Sequence, residues 1–109
     1  MASTAIAPKL IVHTASSSTA KTYAFHDEDH TLGNAVRYML MRNPQVDFAG
    51  YTIPHPSEPN MHVRVQTQQS TTANQAMRSA LTDLKAIASH VDKTFAKELK
   101  AFKKKKTKM

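Results

Sequence analysis

The longest regular pattern in the chain is a series of apolar residues, each four or three positions after the last, in its C-terminal third. It follows the segment Thr72-Ala73-Asn74-Gln75, which has capping-box spacing. It continues for about seven turns without glycine or proline, so it predicts one long amphipathic helix ending near Phe102. The apolar positions are Met77, Leu81, Leu84, Ala88, Val91, Phe95, Leu99 and Phe102.

This helix is too long for its own domain. About 30 residues at about 1.5 Å each span about 45 Å, whereas a compact domain of this size has a radius of gyration near 13 Å and a diameter of roughly 35 Å. The overhanging part would still carry large apolar side chains, a contiguous patch of a kind that soluble monomers avoid. We therefore expect a partner to cover it.

A second apolar stripe predicts a shorter helix from Leu32 to about Arg42, with Thr31 as its N-cap and Pro44 beyond its end. Gly33 lies in the first turn, where glycine costs about 1 kcal/mol relative to alanine, so it indicates a close approach by another group. The stripe consists of Leu32, Ala35, Val36, Met39 and Leu40.

Alternating patterns predict four strands. Residues 9–13 and 21–26 form a hairpin across a Ser/Thr-rich turn at 15–20, and residues 46–53 form a third strand with a bulge near Gly50. After a proline-rich connection, Met61, Val63 and Val65 alternate with polar residues in the fourth strand. The predicted fold is α+β: a four-stranded, mostly antiparallel sheet backed by two helices, the C-terminal one long.

Length and charge place these elements in one domain. The 109 residues divide into a predicted disordered arm (1–8), a domain (9–102) and a lysine-rich tail (103–109). The net charge is +7, but six lysines lie in the last ten residues, which leaves 15 − 6 = 9 basic against 8 acidic residues elsewhere. The domain itself is thus nearly neutral. For the tail, a solvated segment is favoured, with an import signal, nucleic acid or an acidic surface as alternatives.

No residue pattern in the sequence predicts a catalytic, metal or cofactor site. The absence of cysteine excludes disulfides and thiolate metal sites. Five residues at 26–30, two histidines and three acids, suggest a metal site, but acids before a helix already suit its dipole, so neither a metal nor a cofactor is expected. There is no glycine-rich phosphate loop and no acid–base motif, so we expect no catalysis. No secretory signal or membrane span is expected either.

The aromatic residues allow two interpretations. They could form a stacking platform for single-stranded nucleic acid, assisted by Arg64, or belong to the core, which their phase with valine and isoleucine favours. The residues concerned are Tyr23, Phe25, Tyr38, Phe48 and Tyr51.

Six sequence blocks, in order, resemble the small alpha-like subunit of eukaryotic RNA polymerases. The resemblance covers about residues 20–100. The blocks are Asp29-His30-Thr31-Leu32-Gly33-Asn34, Arg37-Tyr38-Met39, Asn43-Pro44, Phe48-Ala49-Gly50-Tyr51, Ile53-Pro54-His55-Pro56-Ser57-Glu58 and Arg64-Val65-Gln66-Thr67. Several of them look more like the version shared by polymerases I and III than like the polymerase II counterpart, which remains an alternative. The polar segment 69–72 and the tail depart from the family pattern.

The resemblance implies a non-catalytic, nuclear and nucleolar assembly subunit of RNA polymerase. It would form a heterodimer with the larger alpha-like subunit, as a platform for the two largest, catalytic subunits, with contact to nucleic acid at most indirect. The implied dimer interface comprises Thr31, Leu32, Gly33, Asn34, Ala35, Val36, Met39, Met77, Leu81, Leu84, Ala88, Val91 and Phe95. The alternative from another class is a small basic protein that binds nucleic acid alone.

Overall fold

A computed structural model describes residues 9–107. The predicted arm, residues 1–8, lies outside this range. In chain order the elements are β1 (Leu10–Ser17), β2 (Ala20–His26), α1 (His30–Met41), β3 (Val46–Thr52), β4 (Asn60–Thr67) and α2 (Ala73–Thr107).

The four strands form one antiparallel sheet in the order β1-β2-β4-β3. Tyr23 of β2 is paired with Val63 of β4, and Val63 is paired on its other side with Tyr51 of β3. Both helices contact the sheet and each other. The predicted α+β fold, with a long C-terminal helix, is therefore confirmed.

The core lies between the two helices and one face of the sheet. Because side chains alternate along a strand, Met61, Val63 and Val65 of β4 all point to this face, and none is exposed. The remaining buried members of the cluster are Tyr23, Phe25, Val36, Leu40, Val46, Ala49, Ala73, Ala76, Met77 and Ala80.

Helix α1 begins earlier than predicted, and Thr31 is not its N-cap. The helix starts at His30, and the carboxylate of Asp29 accepts a hydrogen bond of 3.0 Å from the backbone N–H of Thr31. Aspartate caps at least as well as threonine and adds a negative charge at the positive end of the helix dipole. The acidic turn thus supplies the cap itself.

Two details of the strands also differ from prediction. The register shift in β3 lies between Val46 and Phe48 rather than near Gly50. The extra residue, Asp47, puts Val46 and Phe48 on opposite sides, so Val46 is buried while Phe48 is exposed. The β1–β2 turn is shorter than predicted, with only Ser18 and Thr19 between the strands.

Helix α2 starts as predicted but ends later. The hydroxyl of Thr72 accepts a hydrogen bond of 3.2 Å from the backbone N–H of Gln75, which confirms Thr72 as the capping residue. The helix continues past Phe102 to Thr107, so most of the lysine-rich segment is helical. Lysine is a good helix former, and a positive charge is stabilising at a helix C-terminus.

Candidate partner-binding face

Helix α2 has a buried beginning and an exposed remainder. Ala73, Ala76, Met77 and Ala80 are buried, and every residue from Lys85 to Thr107 is exposed. With 35 residues the helix is about 52 Å long, and the radius of gyration is 18.6 Å against about 13 Å for a compact chain of this size. The predicted overhang is confirmed.

The overhanging part carries a continuous apolar stripe. Large apolar side chains recur at four- and three-residue intervals along it, and all are exposed. Their exposed fractions are 59% for Val91, 65% for Phe95, 39% for Leu99 and 61% for Phe102. Side chains at this spacing lie on one face of a helix, so they form one surface rather than scattered exposed residues.

Toward the body of the protein, this stripe leads into a groove between α1 and α2. The groove has a volume of about 440 Å³. It is lined by His30, Thr31, Asn34, Ala35, Tyr38, Met39, Leu84 and Ile87. The lining combines apolar side chains with polar groups, as surfaces that receive another protein commonly do.

Side-chain contacts hold the α1 wall of the groove in place. The imidazole Nδ1 of His30 is 2.9 Å from the hydroxyl of Tyr51 on β3, and their rings meet edge to face. At the end of the helix, the C-cap residue Arg42 donates a hydrogen bond of 3.1 Å to the hydroxyl of Tyr38, one turn earlier. The guanidinium also lies 5.5 Å from the Tyr38 ring centroid, within range of a cation–π interaction.

The predicted interface residues fall into three groups. Gly33, Val36 and Met77 are buried inside the chain, with Val36 0% and Met77 3% exposed, so these three belong to the core of the chain. Leu32 and Leu81 are half-buried against the same core. The other residues remain available: Thr31, Asn34, Ala35, Met39 and Leu84 line the groove, and Ala88, Val91 and Phe95 continue along the exposed stripe.

Gly33 makes the close approach that its sequence position predicted, but to the protein's own sheet. A Cβ atom there would lie 2.6 Å from Tyr51 Cδ2 and 2.7 Å from Met61 Sδ. Such distances are too short for any real carbon contact, so a side chain at this position would displace Tyr51, Met61 or α1 itself. Glycine therefore sets the depth of the α1 wall, and so the shape of the groove.

Three groove residues were missing from the predicted set: His30, Tyr38 and Ile87. Ile87 lies three residues after Leu84 and four before Val91, so its spacing contained a detectable signal. Tyr38 follows Ala35 by three residues in the same way. His30 had none, because it was assigned to the turn before the helix.

Tyr23 and Phe25 belong to the core, as expected, but two other aromatics do not. Tyr38 is 59% exposed beside the groove, and Phe48 is 48% exposed over Gly50 on the sheet. The hydroxyl of Tyr23 donates a hydrogen bond of 2.7 Å to Asn74 of α2, and burial raises the pKa of Tyr23 to about 12. This bond ties the start of the long helix to β2.

Two other kinds of site receive no support. Among residues 9–107, no group of three or more His, Cys, Asp or Glu side chains is placed to hold a metal ion. Neither of the two described helices is long and apolar enough to cross a membrane.

The fold and this face define a class of protein: a small α+β protein whose helices present an apolar surface to a partner. Comparison with known proteins agrees. Residues 20–94 match the family model described as the RNA polymerase Rpb3/Rpb11 dimerisation domain. The chain belongs to this family, and the resemblance seen in the sequence is confirmed.

Similar proteins include subunits of eukaryotic polymerases. The chain is 54% identical, over 68% of its length, to DNA-directed RNA polymerases I and III subunit rpc19 of Dictyostelium discoideum, and spans 64% of that protein. It is 48% identical to subunit RPAC2 of Schizosaccharomyces pombe and 43% identical to that of Saccharomyces cerevisiae. These alignments cover 74% and 81% of the chain but only 65% and 62% of the relatives. The chain thus spans less than two thirds of the length of these three relatives.

Among solved structures, the fold is similar to DNA-directed RNA polymerase subunit L of Thermoplasma acidophilum. The TM-score is 0.73 at 23% identity, and the superposition covers 86% of this chain and 91% of the other. At this identity the likeness concerns the fold alone.

Proposed function

We propose that the chain is a non-catalytic assembly subunit of the DNA-directed RNA polymerases I and III. It forms a heterodimer with the larger alpha-like subunit, and this heterodimer is the platform on which the two largest, catalytic subunits assemble. Its work is done in the nucleus, including the nucleolus, in the transcription of ribosomal RNA, transfer RNA and other small RNAs. Polymerisation belongs to the partners.

The observation that carries this proposal is the exposed apolar face on α1 and α2. Five large apolar side chains, from Ile87 to Phe102, are each at least 39% exposed along one helix. Fully burying a side chain of this size stabilises a complex by about 1.5 to 3 kcal/mol. A partner that covers the stripe therefore gains several such contributions, which accounts for a helix longer than its own domain requires.

Membership of a family described by its dimerisation domain supports a protein partner for this face. The names of the three relatives described above specify polymerases I and III, which favours this version of the subunit over the polymerase II counterpart. The region that matches the family model, residues 20–94, contains all of α1 and the first 22 residues of α2.

Co-expression with the larger alpha-like subunit of polymerases I and III tests the proposal. We expect a monodisperse one-to-one complex, and self-association or poor solubility of the chain alone. The larger alpha-like subunit of polymerase II is the matched control, and it should bind less well. A monodisperse, cooperatively folding monomer at micromolar concentration, indifferent to both candidates, would contradict the proposal.

A salt titration separates this function from that of a basic protein acting alone. Binding through Z phosphates of duplex DNA weakens with salt with a log–log slope of about −0.9Z, whereas an apolar helical interface changes little. We expect the heterodimer to resist added salt.

A further inference from the structure

The last four turns of α2 carry a second surface, opposite the apolar stripe. Lys93, Lys97, Lys100 and Lys104 follow one another at intervals of four, three and four residues, and we call them the lysine face. At about 100° per residue they lie within an arc of about 60°, centred about 175° from the centre of the apolar stripe. A partner on the stripe therefore leaves the lysine face open.

The helical course of this segment is what makes a face of these lysines. In a disordered tail the same charges would have no fixed spacing, whereas α2 is helical to Thr107. Lys100, Lys103, Lys104 and Thr107 line one shallow depression on the helix surface. The four lysines of the face extend over about 16 Å along the axis at about 1.5 Å per residue.

No carboxylate neutralises the lysine face. Glu98 is the one acidic residue between Lys93 and Thr107, and its helical position lies on the apolar side. In the part of the chain that the structure describes, none of the four ammonium groups has an ion-pair partner; the ion pair found there joins Lys9 to Glu28. The face therefore concentrates four positive charges on one side of the helix.

We propose that the lysine face binds the phosphate backbone of duplex nucleic acid, without sequence preference. About 16 Å of duplex carries nine or ten phosphate charges, at about one per 1.7 Å, so four flexible ammonium groups find partners in any register. An acidic peptide would need carboxylates at matching positions. This function goes beyond assembly and does not depend on it.

The residue types on the lysine face favour duplex over single-stranded nucleic acid. Single-strand binding relies on aromatic side chains that stack on bases, and direct readout relies on arginine, asparagine or glutamine at base edges. The lysine face has none of these groups, because Phe95 and Phe102 lie on the opposite side. Its lysines contact phosphates, which position a duplex but do not read its sequence.

Two double variants of the full-length chain test the proposal. Lys97→Gln/Lys104→Gln removes two charges from the lysine face, and the matched control, Lys105→Gln/Lys106→Gln, removes two charges from the other side of the same helix. Binding to a fluorescently labelled, mixed-sequence DNA duplex of about 20 base pairs is followed by anisotropy between about 50 and 200 mM salt. Circular dichroism verifies that the helix remains.

With four phosphate contacts the log–log salt slope is about −3.6, a loss of about 150-fold in affinity over this range of salt. The face variant should show a slope near −1.8 and a loss of about 12-fold, and the control should behave like the parent chain. A scrambled duplex of equal length should bind equally well.

Three results would overturn the proposal. Equal slopes for the two variants would mean that diffuse charge, not the lysine face, binds the duplex. Tighter binding to single-stranded DNA of the same length, or to a polyglutamate peptide of equal charge, would mean that the ligand of the lysine face is not a duplex. No measurable binding of the parent chain at the lowest salt would remove the site altogether.

Discussion

Phe95 and Met77 belong to the same apolar pattern, but Phe95 lies on the proposed partner face and Met77 lies in the core. Phe95 is 65% exposed and Met77 is 3% exposed. We expect Phe95→Ala to weaken the heterodimer without affecting the fold of the chain. Met77→Ala should instead destabilise the chain itself by about 2 to 5 kcal/mol, through a cavity in the core.

The expected loss of binding free energy for Phe95→Ala follows from the exposed area of Phe95. A phenylalanine offers roughly 200 Å², so an exposed fraction of 65% leaves about 130 Å² for a partner to cover. At about 25 cal/mol per Å² this is about 3 kcal/mol. Alanine retains a small part of it, so we expect a loss of about 2 to 3 kcal/mol, or a dissociation constant about 30 to 140 times larger.

Dilution of the co-expressed, fluorescently labelled heterodimer measures the dissociation constant, and urea unfolding of each chain alone, at a concentration below that of its self-association, measures its own stability. Ser89→Ala is the control, since Ser89 is exposed on the same helix away from the apolar stripe. A Phe95→Ala chain whose dissociation constant stays within about twofold of the parent would refute the assignment of the interface. So would a loss of stability in the free chain equal to that in the complex.

Three further predictions concern local features. Gly33→Ala should lower the unfolding midpoint despite a gain of about 1 kcal/mol in helix propensity, because the new methyl meets Tyr51, while Ala35→Ser should have little effect. Asp29→Ala should lower the free energy of unfolding in urea by about 1 kcal/mol, and Thr31→Ala should lower it much less. A larger effect of Thr31→Ala would mean that threonine is the N-cap. The raised pKa of Tyr23 means that the folded chain retains a proton that the unfolded chain loses above pH 10. Stability should therefore fall as pH rises from 10 toward 12, and Tyr23→Phe should lack this part of the decline.

The amino-acid sequence by itself determined the elements, the fold class and the existence of a partner surface. Periodicity is a local property, so the apolar series of α2 and the alternation of β4 could be assigned without coordinates. The overhang of α2 followed from arithmetic on helix length alone. The resemblance to the polymerase family was likewise carried by blocks of residues whose order and spacing are visible in the chain.

Only the tertiary structure decided which of the apolar residues the chain buries in its own core. Met77 and Phe95 occupy equivalent positions in one periodic pattern, yet the sheet lies under the first and ends before the second. In the same way, Gly33 was expected at the dimer contact, but it packs against Tyr51 and Met61. Periodicity specifies a face but not what covers it, because burial depends on residues far away in the sequence. The division of the apolar stripe between core and partner was therefore settled by how far the sheet reaches along α2.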